Sequence, residues 1–351
     1  MREITRAAAL AYRAAAHDLE SGSADPAVLG TGVQDTPPGS SARLAMRARG
    51  AAPDAGVLVH AARGVMHRHR AKDLDLLAAA LRPQAADELA KTTHGGFPRD
   101  LPDLPGAVDT LAGAMRGAVD VPMTKGELST AVAGAVDRSL TPWCAGCGAH
   151  HAHDGMFRIA TLQAGLTLSD DGRFQPPRKL RRRDPEKARA ELLHRFLALA
   201  GPANPADLAA WLAIEPAAAR RWWALADLVE VRVDGAKAYA LAGQDLDAPA
   251  PKAVRLLGPY DPLLELGDRK LVAPDPAHRK QIWRATANPG VLLVAGEVAG
   301  VWRQKTTRGR LELTVTTFGD VSAARRRAAE ADAGELAETV GATGVGVRWA
   351  Q

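Results

Sequence analysis

The sequence predicts an α+β fold built from tandem winged-helix motifs, three in number, followed by a β-rich C-terminal region. The strongest indication is the segment Ala188–Leu241, in which three helical patterns precede two strands joined by a tight turn. The N-terminal third of the chain shows a related order of helix, helix, strand and turn. With 351 residues the chain is long enough for several small domains. We therefore expect a multi-module protein.

The composition is that of a globular protein, with 46% hydrophobic and 24% charged residues. No apolar run reaches the ~18 residues that a membrane-spanning helix needs. The first helical stretch carries acidic residues at Asp18 and Glu20 and lacks the uncharged segment of a secretory signal. These features predict a cytoplasmic location and exclude a membrane partner.

The net charge of +5 and the isoelectric point of about 9.4 favour a polyanionic partner. Lysine and arginine side chains bind nucleic acid by releasing counterions from phosphates. The two cysteines, Cys144 and Cys147, are close together, which fits a reducing compartment and argues against a disulfide framework. We therefore expect an intracellular DNA-binding protein.

Residues 1–119 form the first predicted winged-helix region. A polar, basic stretch from Arg63 to Arg70 follows its strand, and we expect it to lie on the surface. Apolar periodicity predicts the regular elements of this region. They are helices over Ile4–Leu19, Ser40–Arg49, Asp73–Leu81, Gln84–Lys91 and Ala107–Val119, and a strand over Gly56–His60.

Residues 120–177 form a second winged-helix-like region. Thr124 and Glu127 have the spacing of a capping box, which predicts a helix start. A proline-bounded basic segment, residues 176–185, then contains Arg181 and Arg182. It is either a solvated hinge or an arm that contacts phosphates.

Residues 186–243 form the third predicted winged helix. Its helices are Ala188–Leu199, Ala206–Leu212 and Ala217–Leu225, and its strands are Leu228–Val233 and Lys237–Leu241 around the turn Asp234-Gly235. The third helix carries Arg220 and Arg221, placed where such folds read the DNA groove. Trp211, Trp222 and Trp223 are expected in the core. The alternative is a protein-binding or purely structural module.

Residues 254–351 form a mixed α/β C-terminal region. Its turn Ala295-Gly296 predicts a hairpin. The predicted elements are strands over Val291–Val294, Glu297–Trp302 and Arg310–Thr317, and a helix over Val321–Val340.

The second region contains a cluster of metal-ligand residue types. Cys144 and Cys147 have C-x-x-C spacing, and His150, His151 and His153 follow within a few residues; a site needs two of these three, and His150 and His153 are the candidates. Two thiolates and two imidazoles suit tetrahedral zinc, so a structural zinc ion is the one cofactor that the sequence suggests. The alternative is that the cysteines are small buried residues and the histidines are polar surface groups.

Four stretches carry a resemblance to a known family. They are Leu29-Gly30-Thr31-Gly32-Val33-Gln34-Asp35; Arg63-Gly64-Val65-Met66-His67; Gly201-Pro202-Ala203 with Trp211; and Gly258-Pro259-Tyr260-Asp261-Pro262-Leu263-Leu264 with Asp268-Arg269 and Gly300-Val301-Trp302-Arg303. In order and spacing they resemble the AlkZ-like and YcaQ-like DNA glycosylases, which release alkylated bases and unhook interstrand crosslinks. The resemblance implies three tandem winged-helix motifs and a β-rich region that form a concave basic surface around double-stranded DNA, in a monomer.

The catalytic element of that family is a glutamine, an apolar residue, then glutamine or aspartate on an N-terminal loop. The resemblance places Gly32, Val33 and Gln34 at these positions, so the first glutamine is missing. Gln34 and the adjacent Asp35 are the catalytic candidates, because an amide or a carboxylate can orient water. The alternative is ordinary loop structure, with Asp35 capping the turn near Pro37-Pro38.

Two functions follow from these patterns. One is a DNA N-glycosylase that acts on alkylated or crosslinked bases. The other is a non-catalytic winged-helix regulator or lesion sensor with a degenerate motif. Both predict the same set of DNA contacts, which comprises Arg63, His67, Arg68, Arg70, Arg181, Arg182, Arg220, Arg221, Arg269 and Arg303.

Overall fold

The computed structural model describes residues 2–89 and 101–350 and shows a mixed α+β architecture, as predicted. In the first region, β1 precedes α1, a loop with one short strand leads to α2, and two strands precede α3. Their bounds are β1 Arg2–Ile4, α1 Arg6–Ala16, β2 Val33–Gln34, α2 Ser41–Arg47, β3 Val57–His60, β4 Met66–His69 and α3 Leu74–Leu81.

Local capping explains where α1 begins. The Thr5 side chain accepts a hydrogen bond from the Ala8 amide, so the helix starts at Arg6 and not at Ile4 as predicted. The predicted helix from Gln84 to Lys91 is also wrong in its described part, where Ala86–Glu88 forms a single 3-10 turn. Residues 90 and 91 of that prediction lie outside the described residues.

Strand β4 is the largest departure from the sequence prediction in this region. The stretch expected to be a basic surface segment is the central strand of a three-stranded antiparallel sheet, in the order β2, β4, β3. Its residues His67, Arg68 and His69 are all buried. Strand β2 of this sheet contains Gln34, and Asp35 follows it directly.

The second region packs with the helix Leu104–Ala118, which was predicted in the first region, around a separate hydrophobic cluster that includes Val108, Leu111, Met115 and Phe157. The predicted capping box is present, since the Thr124 side chain bonds the Glu127 amide and the Glu127 side chain bonds the Thr124 amide. The elements are α4 Leu104–Ala118, α5 Lys125–Ala135, β5 Trp143–Cys144, β6 Ala149–His150 and α6 Asp154–Gln163.

The third region matches its predicted elements closely. Each of its helices starts with a proline in the first turn, where the missing amide hydrogen carries no penalty. The three tryptophans Trp211, Trp222 and Trp223 are buried, as expected. The bounds are α7 Pro185–Ala200, α8 Pro205–Leu212, α9 Pro216–Trp223, β7 Leu228–Val233 and β8 Ala236–Leu241.

Strand β1 at the chain start joins the sheet of this third region. It pairs in parallel with β7, with Arg2 opposite Val231, and gives the strand order β1, β7, β8. The first and third regions also share one continuous hydrophobic cluster that contains Leu76, Leu193, Phe196 and Trp211. The two regions are therefore one packed body.

The C-terminal region is a five-stranded sheet with one long helix against it. The strand order is β13, β12, β11, β10, β9, with only the β12–β13 pair parallel. Its elements are β9 Val254–Leu257, α10 Arg269–Val272, α11 Pro276–Ile282, β10 Gly290–Val294, β11 Glu297–Thr307, β12 Arg310–Thr317, α12 Ala323–Thr339 and β13 Val345–Ala350.

Buried ion pairs attach this sheet to the first region. Arg49 donates two hydrogen bonds to the Asp261 carboxylate, at 2.8 and 2.9 Å, and both side chains are 0% exposed. Arg47 likewise donates two hydrogen bonds to the carboxylate of Asp332 on α12. Because α2 carries or adjoins both arginines, the loop before α2 lies at the junction of the two regions.

None of the helices within residues 2–89 and 101–350 is long and apolar enough to span a membrane.

Candidate functional site

Gln34 is held at the end of β2 by its strand pairing and its side-chain contacts. It lies opposite His67 in the β2–β4 ladder and is 7% exposed. Its Oε1 accepts a hydrogen bond of 2.7 Å from Arg63 Nη2, and its Nε2 lies 3.4 Å from Thr36 Oγ1. Because arginine only donates, the guanidinium fixes which end of the amide is the oxygen.

Arg63 is itself anchored by groups distant in sequence. It donates a hydrogen bond of 2.8 Å to the Trp211 carbonyl and a bond of 3.2 Å to Glu265, and its side chain is 15% exposed. Sequence reasoning placed Arg63 among the DNA contacts and missed Glu265, although that residue directly follows the Gly258–Leu264 stretch. In the structure Arg63 serves to orient Gln34.

Asp35 is buried at 0% exposure and its carboxylate is saturated with donors. It accepts hydrogen bonds from the backbone amides of Gly39, Ser40 and Ala42 and from Arg68 Nε, at 2.9 to 3.2 Å. A carboxylate offers about four acceptor positions, and all four are used here. Asp35 is therefore corrected from a candidate base to the residue that shapes the Thr36–Ser40 loop and caps α2.

Gly32, where the resemblance leads us to expect a glutamine, lies against a histidine ring. A Cβ atom built on Gly32 would lie 2.6 Å from both Cε1 and Nε2 of His69, and the backbone φ of Gly32 is +104°. Burial lowers the pKa of His69 to about 4, so the ring is neutral. The site therefore has one amide, that of Gln34, and no room for a second.

A cleft adjoins the Gln34 loop. It has a volume of about 590 Å³ and lies between the loop and the C-terminal sheet. Thr36, the neighbour of the Gln34 amide, lines one side, and Trp302 and Arg303 line the other. Volumes of this size are typical of small-molecule pockets.

Burial divides the predicted DNA contacts into two groups. His67 and Arg68 are 3% and 4% exposed, so these two predictions are corrected. His67 Nδ1 bonds the Val65 carbonyl, and Arg68 pairs with Asp35 and Asp170 inside the protein. A phosphate cannot reach either side chain without opening the sheet.

The other predicted contacts are more accessible, and they differ in their internal partners. Arg70 is half-buried and pairs with Asp25, Arg181 pairs with Asp75, and Arg221 binds Asp87. Arg269 lies over the Trp283 ring, and Arg303 donates to the Ala287 carbonyl. Within the described ranges, Arg182 and Arg220 are exposed and form no ion pair.

The Cys/His cluster has a different membership from the one predicted. The ligand atoms of Cys144, Cys147 and His151 lie within 4.8 Å of one another. His150 instead bonds the Thr141 carbonyl, and His153 caps α6 by accepting from the Gly155 amide. His150 and His153 are therefore replaced by His151 as the metal-ligand candidate. Sequence alone gave no reason to prefer it, since all three histidines are close to the cysteines.

The environment of Cys144 favours its thiolate. Its pKa is lowered to about 7, first by the Cys147 backbone amide and then by His151 and the Cys147 thiol. Hydrogen bonds to a charged sulfur stabilise that form, as in metal-binding and reactive cysteines.

Comparisons with known proteins connect this geometry to a family. A family model described as "DNA glycosylase AlkZ-like" matches residues 28–339. An interstrand DNA cross-link repair glycosylase of Streptomyces sahachiroi is 32% identical over 176 residues, which is 47% of this chain and 46% of the relative. That match therefore spans about half the length of the relative.

The solved structure of Streptomyces sahachiroi DNA glycosylase AlkZ superposes with a TM-score of 0.73 and covers 100% of both chains at 24% identity. At this identity the superposition shows a shared fold. The family model, in contrast, spans most of the sequence, including Gln34 and Arg63. The chain therefore belongs to the AlkZ-like family.

Proposed function

We propose that the protein is a DNA N-glycosylase that releases alkylated or crosslinked bases from double-stranded DNA, with Gln34 positioning the attacking water. The observation that carries this proposal is the Arg63–Gln34 contact of 2.7 Å. A surface glutamine normally samples several rotamers, whereas this one is held with its oxygen in a fixed direction. Such preorganisation is what a water-positioning group requires.

The chemistry of an alkylated base suits a site with one amide. Alkylation at a ring nitrogen gives the base a positive charge, and the base departs as a neutral molecule with the electrons of the C1′–N bond. The sugar develops oxocarbenium character, water adds its oxygen to C1′, and a proton is released. Gln34 Oε1 has a second lone pair beside the one that Arg63 uses, and it can accept a hydrogen bond from that water. No strong general acid is needed.

The DNA partner is supported by the exposed arginines and by the domain order. In the proposed arrangement, three winged-helix modules, residues 1–119, 120–177 and 186–243, precede the C-terminal region, residues 254–351. The third module carries Arg220 on the helix before its β7–β8 hairpin, as groove-reading winged helices do. We expect a monomer, because modules in series can follow a duplex without a two-fold axis.

The Gly32–His69 contact favours one alternative function. Because the ring fills the place of a second amide, the chain can bind DNA as a lesion sensor or regulator without cleaving the glycosidic bond.

The deciding experiment compares base excision and DNA binding by the same variants. A duplex with one 7-methylguanine is the substrate, and binding is measured by fluorescence anisotropy. We expect wild-type protein to excise the base and Gln34→Ala to lose roughly 10²–10³-fold in rate, as when a positioned donor or acceptor is removed. Exposed Gln84→Ala is the matched control, with unchanged excision. Binding without excision by wild-type protein would establish the sensor alternative.

A further inference from the structure

We infer that Cys144, Cys147 and His151 form a zinc site that ties the β5–β6 hairpin to the start of α6. The three ligand atoms already lie within 4.8 Å of one another. Two thiolates and a neutral imidazole would balance the charge of Zn²⁺ and are ligands that zinc prefers. This inference does not depend on the proposed glycosylase activity.

The backbone around the two cysteines has the shape of a metal-binding turn. The Cys147 amide donates to the Cys144 carbonyl at 3.2 Å, which closes the four-residue turn between the ligands. Gly148 follows with a φ of +60°, and no atom lies within 4 Å of its Cβ position. Strand pairing of Cys144 with Ala149 then brings the chain back past the sulfurs. The hairpin therefore presents both sulfurs at one end.

His151 is oriented as a ligand. Its Nδ1 bonds the Ala152 carbonyl at 2.8 Å, which places the ring hydrogen on Nδ1 and leaves a lone pair on Nε2. Nε2 is buried and faces the Cys144 thiol, with no other partner. A carbonyl that holds the far nitrogen is the usual support for a metal-bound histidine. Nε2 is therefore the atom that a metal ion held by the two cysteines would bind.

Besides the bond from His150 to the Thr141 carbonyl and the edge contact of Trp143 with the His150 ring, the hairpin has little internal support. Residues 142–150 contain no buried side chain, and Trp143 is 60% exposed. Only two residue pairs join β5 to β6. Such a short hairpin is marginal in water without a core, and small segments of this kind are commonly held by a metal or a disulfide. The cysteines are free, so a metal fits the observed state.

The test uses the full-length protein under reducing conditions, stripped with a chelator and titrated with Co²⁺ and then Zn²⁺. We expect one equivalent of Co²⁺ to bind with the strong visible absorption of a tetrahedral thiolate site, and Zn²⁺ to displace it. Cys147→Ser and His151→Ala should weaken the apparent metal affinity by at least about 100-fold, because loss of a supporting group alone costs 10–100-fold. His150→Ala, on the same hairpin, is the matched control and should keep the spectrum.

Three results would overturn the inference: no Co²⁺ spectrum in wild-type protein, full affinity in His151→Ala, or equal loss in His150→Ala. Thiol alkylation of wild-type protein gives a second readout that needs no variant. Zn²⁺ should protect both cysteines from alkylation, and reaction at the same rate with and without the ion contradicts the site.

Discussion

The Cβ position of Gly32 lies 2.6 Å from the His69 ring. Real Cβ atoms are not found this close to other heavy atoms, and His69 cannot move aside easily because it is 1% exposed on the central strand β4. The glycine and the histidine are therefore a matched pair, in which the absence of a side chain at one position makes room for the ring at the other.

This pairing predicts the effect of restoring the missing glutamine. We expect Gly32→Gln to reduce the free energy of unfolding by about 1–3 kcal/mol, because it combines a positive φ with overpacking. Adding His69→Ala should recover part of that loss. Gly113→Gln is the control, since no atom lies within 4 Å of its Cβ position on α4 and glutamine is the better helix former. Urea denaturation measures all four proteins; equal stability of Gly32→Gln and wild type contradicts the clash.

Arg63 is expected to act on the rate through Gln34. Arg63 reaches the Trp211 carbonyl and Gln34 with two different nitrogens, and lysine has only one, so Arg63→Lys should lower kcat about 10²-fold as the amide is misplaced. DNA affinity should change less than twofold, because Arg63 is not placed on the surface. Exposed Arg182→Lys should leave kcat unchanged. A loss of affinity with kcat intact would instead assign Arg63 to DNA contact.

Adjacent arginines on α9 should differ in their contribution to DNA binding. Arg220 is exposed, whereas Arg221 is engaged by two hydrogen bonds to Asp87 at 2.8 Å. We expect Arg220→Ala to weaken binding and to reduce the slope of log affinity against log salt by about 0.9, the value for one phosphate contact. Arg221→Ala should have the smaller effect. A larger effect of Arg221→Ala than of Arg220→Ala on DNA binding would show that Arg221 leaves Asp87 to contact DNA.

The buried pair Arg49–Asp261 should dominate the attachment of the C-terminal sheet. Arg49→Met leaves the Asp261 carboxylate buried without its partner, and we expect a loss of about 3–5 kcal/mol in the free energy of unfolding. The double variant with Asp261→Leu should be more stable than Arg49→Met. Arg82→Met, which breaks an exposed pair with Asp109, is the comparison and should cost less than about 1 kcal/mol. Similar losses for both pairs would contradict the role of burial.

Buried histidines should make the protein sensitive to mild acid. Burial, with Arg158 and Lys125 nearby and Asp154 opposing them, lowers the pKa of His60 from 6.5 to about 3. Between these values the unfolded chain binds a proton at His60 that the folded chain does not, so the His60 contribution to the free energy of unfolding falls as pH drops below about 6.5 and is fully present above it. The slope is roughly 1.4 kcal/mol per pH unit for each such histidine.

The His60 contribution can be isolated by measuring unfolding from pH 7 to pH 4.5. His60→Gln should remove about 1.4 kcal/mol per pH unit from the slope, whatever its stability at pH 7. His194→Gln, exposed on α7, is the matched control for the loss of one imidazole. An unchanged slope in His60→Gln would mean that the ring titrates in the folded state.

Several features of this protein follow from the sequence by itself. The helices and hairpin of the third region, the capping box at Thr124 and the burial of Trp211 are set by local signals: proline and cap residues, the Asp234-Gly235 turn and apolar periodicity. The position of Gln34 in a family motif also came from sequence. These signals act within a few residues, so residues close together in the sequence are enough to reveal them.

Only the tertiary structure decided the rest. The basic residues of β4 predict an exposed segment, yet Arg68 is buried. Its charge is neutralised by Asp35 and Asp170, which lie 33 and 102 residues away in the sequence. Arg63 is held in place to orient Gln34 by its hydrogen bond to Glu265, which lies 202 residues away in the sequence. His151 replaced His150 and His153 as the metal-ligand candidate because its ring points towards the cysteines. The sequence determines which side chains are charged and which can bind a metal. Whether such a side chain faces water, a metal ion or a buried partner depends on which distant segment packs beside it.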